Sequence, residues 1–264
     1  MDADDHPGGG ILLGLVLWFY YETTRFFWIY AWILVTVYMI FMGMFYSNII
    51  VPLFNKQTPL EDGELKDAIH QLAGKLNFKL SNIYKIDGSK RSSKANAYFT
   101  GLGRTKRIVL YDTLIKELSV QEIVAVLAHE IGHYKHKHTY KNIVIGVLQT
   151  GLTLYILSAF IKMPELSQAL GVEQPVFHIG AIAFDILYSP ISTILGLMLN
   201  VLSRKYEYEA DAFAGRHAGA GNLVTALKSL SVNNLSNLNP HPLYVFFHYS
   251  HPTLLQRIRA LNRI

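Results

Sequence analysis

Apolar and polar positions follow one another along this chain in two different ways. In residues 26–50, 142–161 and 179–202 apolar side chains run on with no Lys, Arg or Glu among them, and the only acid is Asp185. At 1.5 Å per residue each run is long enough, as a helix, to cross about 30 Å of hydrocarbon. The third run also holds Pro190, so Asp185 has two readings: a functional charge in lipid, or a partner for backbone groups that the proline frees. Residues 11–21 are apolar but too short for a span. Residues 1–10 (MDADDHPGGG), acidic and glycine-rich, read as a disordered tail and lack the basic flank and cleavage site of a signal peptide.

The remainder has the shorter periods of a water-facing fold. A helix is expected over 61–76 and strands over 83–86, 95–100 and 107–111, with Gly101 and Gly103 as turn residues between the last two. Ser119-Val120-Gln121-Glu122 is a capping box, and it announces a helix whose apolar face is Ile123, Val124, Val126, Leu127 and Ile131. The expected fold class is therefore mainly α, a multi-pass integral membrane protein with a small β-meander. Its expected parts are a tail with a short apolar segment (1–25), a transmembrane helix (26–54), a segment with the meander and the capped helix (55–141), two transmembrane helices with a short linker (142–202) and a C-terminal segment (203–264).

Composition sharpens this picture. With 264 residues, 51% hydrophobic, 12% aromatic and only 16% charged, the chain departs from soluble usage. The net charge of +5 is a matter of topology: twenty-two of the twenty-four Lys and Arg fall in 55–141 and 203–264, which three spans would put on one side, the cytoplasmic one, with 162–178 opposite. No dense basic run with interleaved aromatics is present, so nucleic acid is not an expected partner; membrane lipid is. The aromatics of residues 18–46 read as an interfacial belt. The absence of cysteine excludes disulfides, thiolate catalysis and sulfur ligands to a metal.

The capped helix carries His129-Glu130-Ile131-Gly132-His133, an HExxH pattern. Residues four apart share a helix face, so both imidazoles can hold one zinc, with Glu130 beside them to take a proton from the attacking water. A catalytic site needs a third protein ligand. The metzincin solution fails, because His136 and Thr139 stand where that pattern requires Gly and His. A Glu from another helix is the alternative. Glu207 and Asp211 lie four apart on one face, so Glu207 can ligate while Asp211 orients an imidazole; Glu209, on the opposite side, is the other candidate. Near the C-terminus His251 precedes Pro252, which suits a first helical position and forces His251 into an extended conformation. Spacing leaves His251 open between a structural cap and a hydrogen-bond donor to an oxyanion. His70, His136, His138, His178, His217 and His241 show no partner pattern and read as surface or interfacial residues.

Taken together, Asn96-Ala97-Tyr98-Phe99, Lys106 through Leu114, Val126 through His133, Leu202 through Glu207 with Ala210 through Ala214, and His248-Tyr249-Ser250-His251-Pro252 resemble the type I CAAX prenyl endopeptidases, integral-membrane zinc metalloproteases of the gluzincin type. Bacterial membrane proteases that clear damaged proteins share the Ser-Arg-x-x-Glu-x-x-Ala-Asp and His-Pro signatures. The resemblance implies one zinc held by His129, His133 and Glu207, Glu130 as general base and proton shuttle, and His251 as the transition-state histidine. It also implies that Asn96 and Ala97 offer a strand edge to the substrate backbone. Family members are longer, with seven spanning helices around a chamber, and the expectation is that this chain lacks their N-terminal spans.

The resulting expectation is a zinc endopeptidase that removes the last three residues of prenylated CAAX-type C-termini. Its partners are a prenylated peptide or protein substrate and membrane lipid. Its location is the endoplasmic reticulum or nuclear membrane if eukaryotic, the cytoplasmic membrane if bacterial, with the active site toward the cytoplasm. The alternatives are a general membrane quality-control protease and a catalytically silent, metal-stabilised scaffold; Glu130 speaks against the scaffold, since a structural site needs ligands but no base.

Overall fold

The structure, a computed structural model, describes residues 7–23, 26–90, 96–100 and 106–264. Residues 1–6 of the expected tail, Ala95 and the turn glycines Gly101 and Gly103 lie outside the described residues. In chain order the elements are α1 (Pro7–Thr23), α2 (Phe27–Phe45), a π-helical turn (Tyr46–Ile50), α3 (Val51–Phe54), β1 (Gln57–Pro59), α4 (Glu64–Lys75), β2 (Leu80–Ile86), β3 (Ala97–Thr100) and β4 (Lys106–Tyr111). They continue with α5 (Asp112–Glu117), α6 (Val120–Lys135), α7 (His138–Phe160), α8 (Pro164–Ala169), α9 (Phe177–Ala214), a second π-helical turn (Gly215–Gly219), α10 (Ala220–Asn233), α11 (Pro242–His248) and α12 (Leu254–Leu261). The molecule is mainly helical, and it divides into two compact units, residues 1–43 with 140–195 and residues 44–139 with 196–264.

The first unit holds the apolar helices. By length and composition α2, α7 and the helical run that begins at Phe177 can cross a membrane, and the apolar part of α1 (Gly10–Thr23) is shorter. α1 begins at Pro7, so the end of the expected tail is helical; proline is pre-organised for a first helical position. Lipid offers no hydrophobic drive between helices, so close contact and hydrogen bonds must hold them. The Trp32 indole donates to the Val147 carbonyl at 2.8 Å, and Thr153 and Tyr188 share a 2.8 Å hydrogen bond. A Cβ at Gly151 would come within 2.8 Å of the Trp32 ring, and one at Gly180 within 2.8 Å of the Ile161 backbone. At Pro190, which lies inside α9, the Ser189 hydroxyl donates to the Ile186 carbonyl at 3.0 Å, the acceptor that proline cannot reach. Ser189 therefore fills the role offered to Asp185, whose side chain is exposed.

The second unit is built around a four-stranded sheet. The sheet is small, as expected, but it is not a meander: the strand order is β1-β2-β4-β3, with β2 and β4 parallel and the two outer pairs antiparallel. The reason lies in β4, where Ile108, Val109 and Leu110 are all buried. Consecutive buried residues mean that both faces are covered, which suits an inner strand with a parallel neighbour. β1 carries no apolar alternation, so no pattern in the sequence marks it as a strand. Ile69 and Leu72 of α4, Ile123, Leu127 and Ile131 of α6, Leu223 of α10 and Leu261 of α12 join Ile83, Ile108 and Leu110 in one core. The capping box of α6 forms as expected: the Ser119 amide donates to Glu122 Oε2 at 2.8 Å and the Glu122 amide to Ser119 Oγ at 3.4 Å. α6 then meets α9 at Gly132, where a Cβ would stand 3.1 Å from the Ala210 Cα.

Candidate metal centre

On α6 the ring nitrogens His129 Nε2 and His133 Nε2 lie 3.1 Å apart. From α9, Glu207 brings Oε2 to 3.6 Å from His129 Nε2 and Oε1 to 3.4 Å from His133 Nε2. A tetrahedral cation held by nitrogen and oxygen at about 2.0–2.1 Å sets its ligand atoms about 3.3 Å apart, so this donor set fits a metal ion. The three residues form a group able to hold a metal ion. His129 and Glu207 are buried.

The remaining atoms of these side chains are engaged. His129 Nδ1 lies 2.9 Å from Asp211 Oδ1, and Asp211 is in turn held by Arg257, whose Nε and Nη2 donate at 2.8 and 2.6 Å. A carboxylate only accepts, so the His129 proton sits on Nδ1 and the Nε2 lone pair faces Glu207. Arg257 Nη1 also lies 3.5 Å from Glu207 Oε2. Burial would raise the Glu207 carboxyl, but the positive field of its neighbours, Arg257 among them, outweighs it and lowers the group, so Glu207 is an anion at neutral pH. Glu130 is pushed the other way, chiefly by burial; the charges that act on it are those of His129, His133, Glu207 and Arg257. A carboxylate raised in this way is suited to taking and returning a proton.

His251 reaches the same cluster, with Nε2 3.4 Å from Glu207 Oε1 and a side chain 65% exposed. Pro252 is not a first helical residue: Thr253 and Gln256 form a capping box and α12 begins at Leu254. The two mutual hydrogen bonds of that box define the helix start more strongly than the fixed φ of one proline. Arg204 steadies the approach to His251 by donating to the Val245 and Tyr249 carbonyls at the end of α11.

Asn96 and Ala97 lie at β3, an end strand of the sheet, and α6 packs beside it. The Tyr111 amide donates to the Asn96 carbonyl at 3.0 Å, so Asn96 is a hydrogen-bonded partner of β4. By the alternation of an antiparallel pair, the backbone groups of Ala97 and Phe99 point away from β4, to an edge that no other strand pairs among the described residues.

Arg257 is marked by no spacing in the sequence, because its partner Asp211 lies 46 residues away. Glu209 is not in the group formed by His129, His133 and Glu207; its Oε2 lies 2.9 Å from His138 Nε2. His138 is not the surface residue that the sequence suggests: it is 2% exposed and sits behind His133, with the two Nδ1 atoms 2.9 Å apart. His217 is likewise partnered, its Nδ1 2.7 Å from the Phe213 carbonyl, and His241 caps α11 by accepting from the Leu243 amide at 3.3 Å.

Comparison with known proteins places this geometry in context. A model of Peptidase family M48 matches residues 59–264, and a model described as the CAAX prenyl protease N-terminal region, five membrane helices, matches residues 8–56. The chain is 40% identical to CAAX prenyl protease 1 of Saccharomyces cerevisiae over 97% of its own length and 60% of that protein. To the CAAX prenyl protease 1 homolog of Homo sapiens it is 37% identical, over 90% of its own length and 58% of the relative. The crystal structure of S. mikatae Ste24p superposes with a TM-score of 0.88 at 39% identity, covering 96% of this chain and 63% of that one. The chain thus spans about three fifths of the length of these relatives.

Proposed function

This chain belongs to peptidase family M48, and from that premise we propose that it is a zinc-dependent membrane endopeptidase that removes the last three residues of prenylated CAAX-type C-termini. The observation that carries the proposal is the convergence of His129, His133 and Glu207, from two helices, into one donor set, two of its three members buried, with Glu130 beside it. One zinc ion held there would polarise the scissile carbonyl and make water a nucleophile at neutral pH.

The protein's own residues supply the rest. Glu130 takes the proton from the attacking water and passes it to the leaving amine. His251, exposed and next to Glu207, donates a hydrogen bond to the developing oxyanion. The free edge of β3 pairs with an extended peptide through the Ala97 backbone, while Asn96, whose carbonyl is engaged with β4, contributes its exposed side chain. Beside His251 a cleft of about 270 Å³, lined by Leu227, Tyr249, Leu254 and Arg257 among others, can receive substrate side chains. The apolar helices let a prenyl group remain in lipid while the peptide meets the metal. The relatives named above are CAAX prenyl proteases, which favours the cytoplasmic side of the endoplasmic reticulum membrane as the place of action.

Cleavage of a farnesylated CAAX peptide beside its unprenylated twin, with and without a zinc chelator, tests this reading. Release of the terminal tripeptide from the farnesylated peptide alone, lost on chelation, is the expected result. Equal cleavage of both peptides would favour a membrane quality-control protease, and no cleavage by zinc-loaded protein would leave a metal-stabilised scaffold.

A further inference from the structure

We propose that His138 is the positioning residue of the metal ligand His133: with Glu209 it determines which ring nitrogen of His133 carries the proton and therefore which one faces the metal. The inference rests on the reading of His129, His133 and Glu207 as a metal centre. Its premise is a chain of two short contacts, Glu209 Oε2 to His138 Nε2 at 2.9 Å and His138 Nδ1 to His133 Nδ1 at 2.9 Å.

Proton accounting along the chain leaves one solution. The Glu209 carboxylate accepts only, so His138 Nε2 carries a hydrogen and, in a neutral ring, Nδ1 is bare. Two facing ring nitrogens with no cation to share need one donor and one acceptor, so the hydrogen between the two Nδ1 atoms belongs to His133 Nδ1. His133 Nε2 is then the lone-pair nitrogen, and it is the atom that lies 3.1 Å from His129 Nε2 and 3.4 Å from Glu207. In the other tautomer Nε2 would carry a hydrogen and could not ligate. His129 receives the same service directly from Asp211, whereas His133 receives it through a second imidazole.

The surroundings hold the intermediary ring in place. His138 is 2% exposed, and its ring is stacked on Tyr206 at 4.0 Å and 11°. Tyr206, Glu207 and Glu209 are near neighbours on α9, so one stretch of helix supplies both a ligand and the support of another ligand. The backbone delivers His138 through Lys137, which adopts φ 58° between α6 and α7 and turns the chain back toward the helix it has left.

Equilibrium zinc affinity of the full chain in detergent, read by chelator competition, tests the proposal together with the visible spectrum of the cobalt-substituted protein. His138→Phe keeps an aromatic ring for Tyr206 and removes the acceptor. It should weaken zinc binding roughly 10- to 100-fold and alter the cobalt bands, as loss of a ligand-orienting hydrogen bond does. His138→Asn, which keeps an acceptor oxygen near the position of Nδ1, should recover most of the affinity. Glu209→Leu, at a partly exposed site, provides a second route if His138→Phe does not fold, and it too should weaken binding. Unchanged affinity in His138→Phe, or in Glu209→Leu where only that variant folds, would overturn the proposal. So would His138→Asn as weak as His138→Phe. His136, His138 and Glu209 also form a group able to hold a metal, so a fall from two zinc ions per chain to one in His138→Phe would make His138 a ligand of a separate site and overturn it as well. Glu207→Ala separates the levels: if it binds zinc like the parent chain, the metal-centre reading itself has failed, whereas if it loses zinc while His138→Phe does not, only the role of His138 falls.

Discussion

At the scale of single residues the site assigns different tasks to groups of the same type. Two variants separate them. Glu130→Gln keeps the shape of the side chain but cannot accept a proton at neutral pH, so it should retain zinc and lose hydrolysis. His251→Ala should also retain zinc and bind substrate nearly normally, with kcat lower by roughly 10² to 10³, the usual effect of removing one oxyanion donor. Zinc content, melting temperature and kcat measured on both distinguish this outcome from a structural cap at His251, which predicts loss of stability with turnover intact. A third residue tests the fold away from the metal. At Asp112 burial alone would raise the carboxyl, but the Ser89 hydroxyl and amide and the neighbouring Lys116 hold it at about 2. A depressed carboxylate stabilises the fold at pH values above its unfolded value, about 3.9, and the contribution disappears as pH falls toward 2. Asp112→Asn should therefore cost on the order of 1 kcal/mol at neutral pH, and its difference from the parent should shrink across that acidic window. Much of this scale was legible beforehand: His129, His133, Glu207 and Asp211 follow from residues spaced one helical turn apart. Arg257 and His138 were not, because each meets its partner through a turn or a second helix whose placement no spacing encodes.

At the scale of elements the decisive contact is the crossing of α6 and α9. Gly132 sits between His129 and His133 in the chain, and a Cβ there would stand 3.1 Å from the Ala210 Cα and 3.1 Å from the Phe213 Cβ. The missing side chain lets the helix with two imidazoles approach the helix with the carboxylate. Gly132→Ala should push them apart by a few tenths of an ångström, destabilise by about 1–3 kcal/mol as overpacking does, and weaken zinc binding. Isothermal unfolding alongside chelator competition reads both effects. Unchanged affinity would mean that the site tolerates a wider crossing. The capping box of α6 was visible in the sequence because all of its partners lie within one turn. The parallel pairing of β2 with β4 was not, because strand order depends on which strand is covered on both faces.

At the scale of the whole molecule the charge distribution makes a topological statement. Residues 55–141 and 203–264, which hold nearly all the Lys and Arg, should share the cytoplasmic side, with 162–178 opposite. The chain has no cysteine, so single cysteines at Lys90 and Glu165 are clean probes; a membrane-impermeant thiol reagent should label one from each side, and labelling of both from the same side would refute the arrangement. The sequence by itself determined the apolar spans, the bias of charge, the motif helix with its cap, and the shared faces that carry His129 with His133 and Glu207 with Asp211. These are written in runs and in periods of one helical turn, which geometry within a single element converts directly into a shared face. Only the tertiary structure decided the order of strands, the relief of Pro190 by Ser189, the clamp of Arg257 on Asp211 and the line from Glu209 through His138 to His133. In all of these but the relief of Pro190, which stays within α9, the partners belong to different elements or are joined by a turn, and the free energy that brings them together comes from burying the core and satisfying polar groups in it, which is a property of the assembled packing and of no one segment.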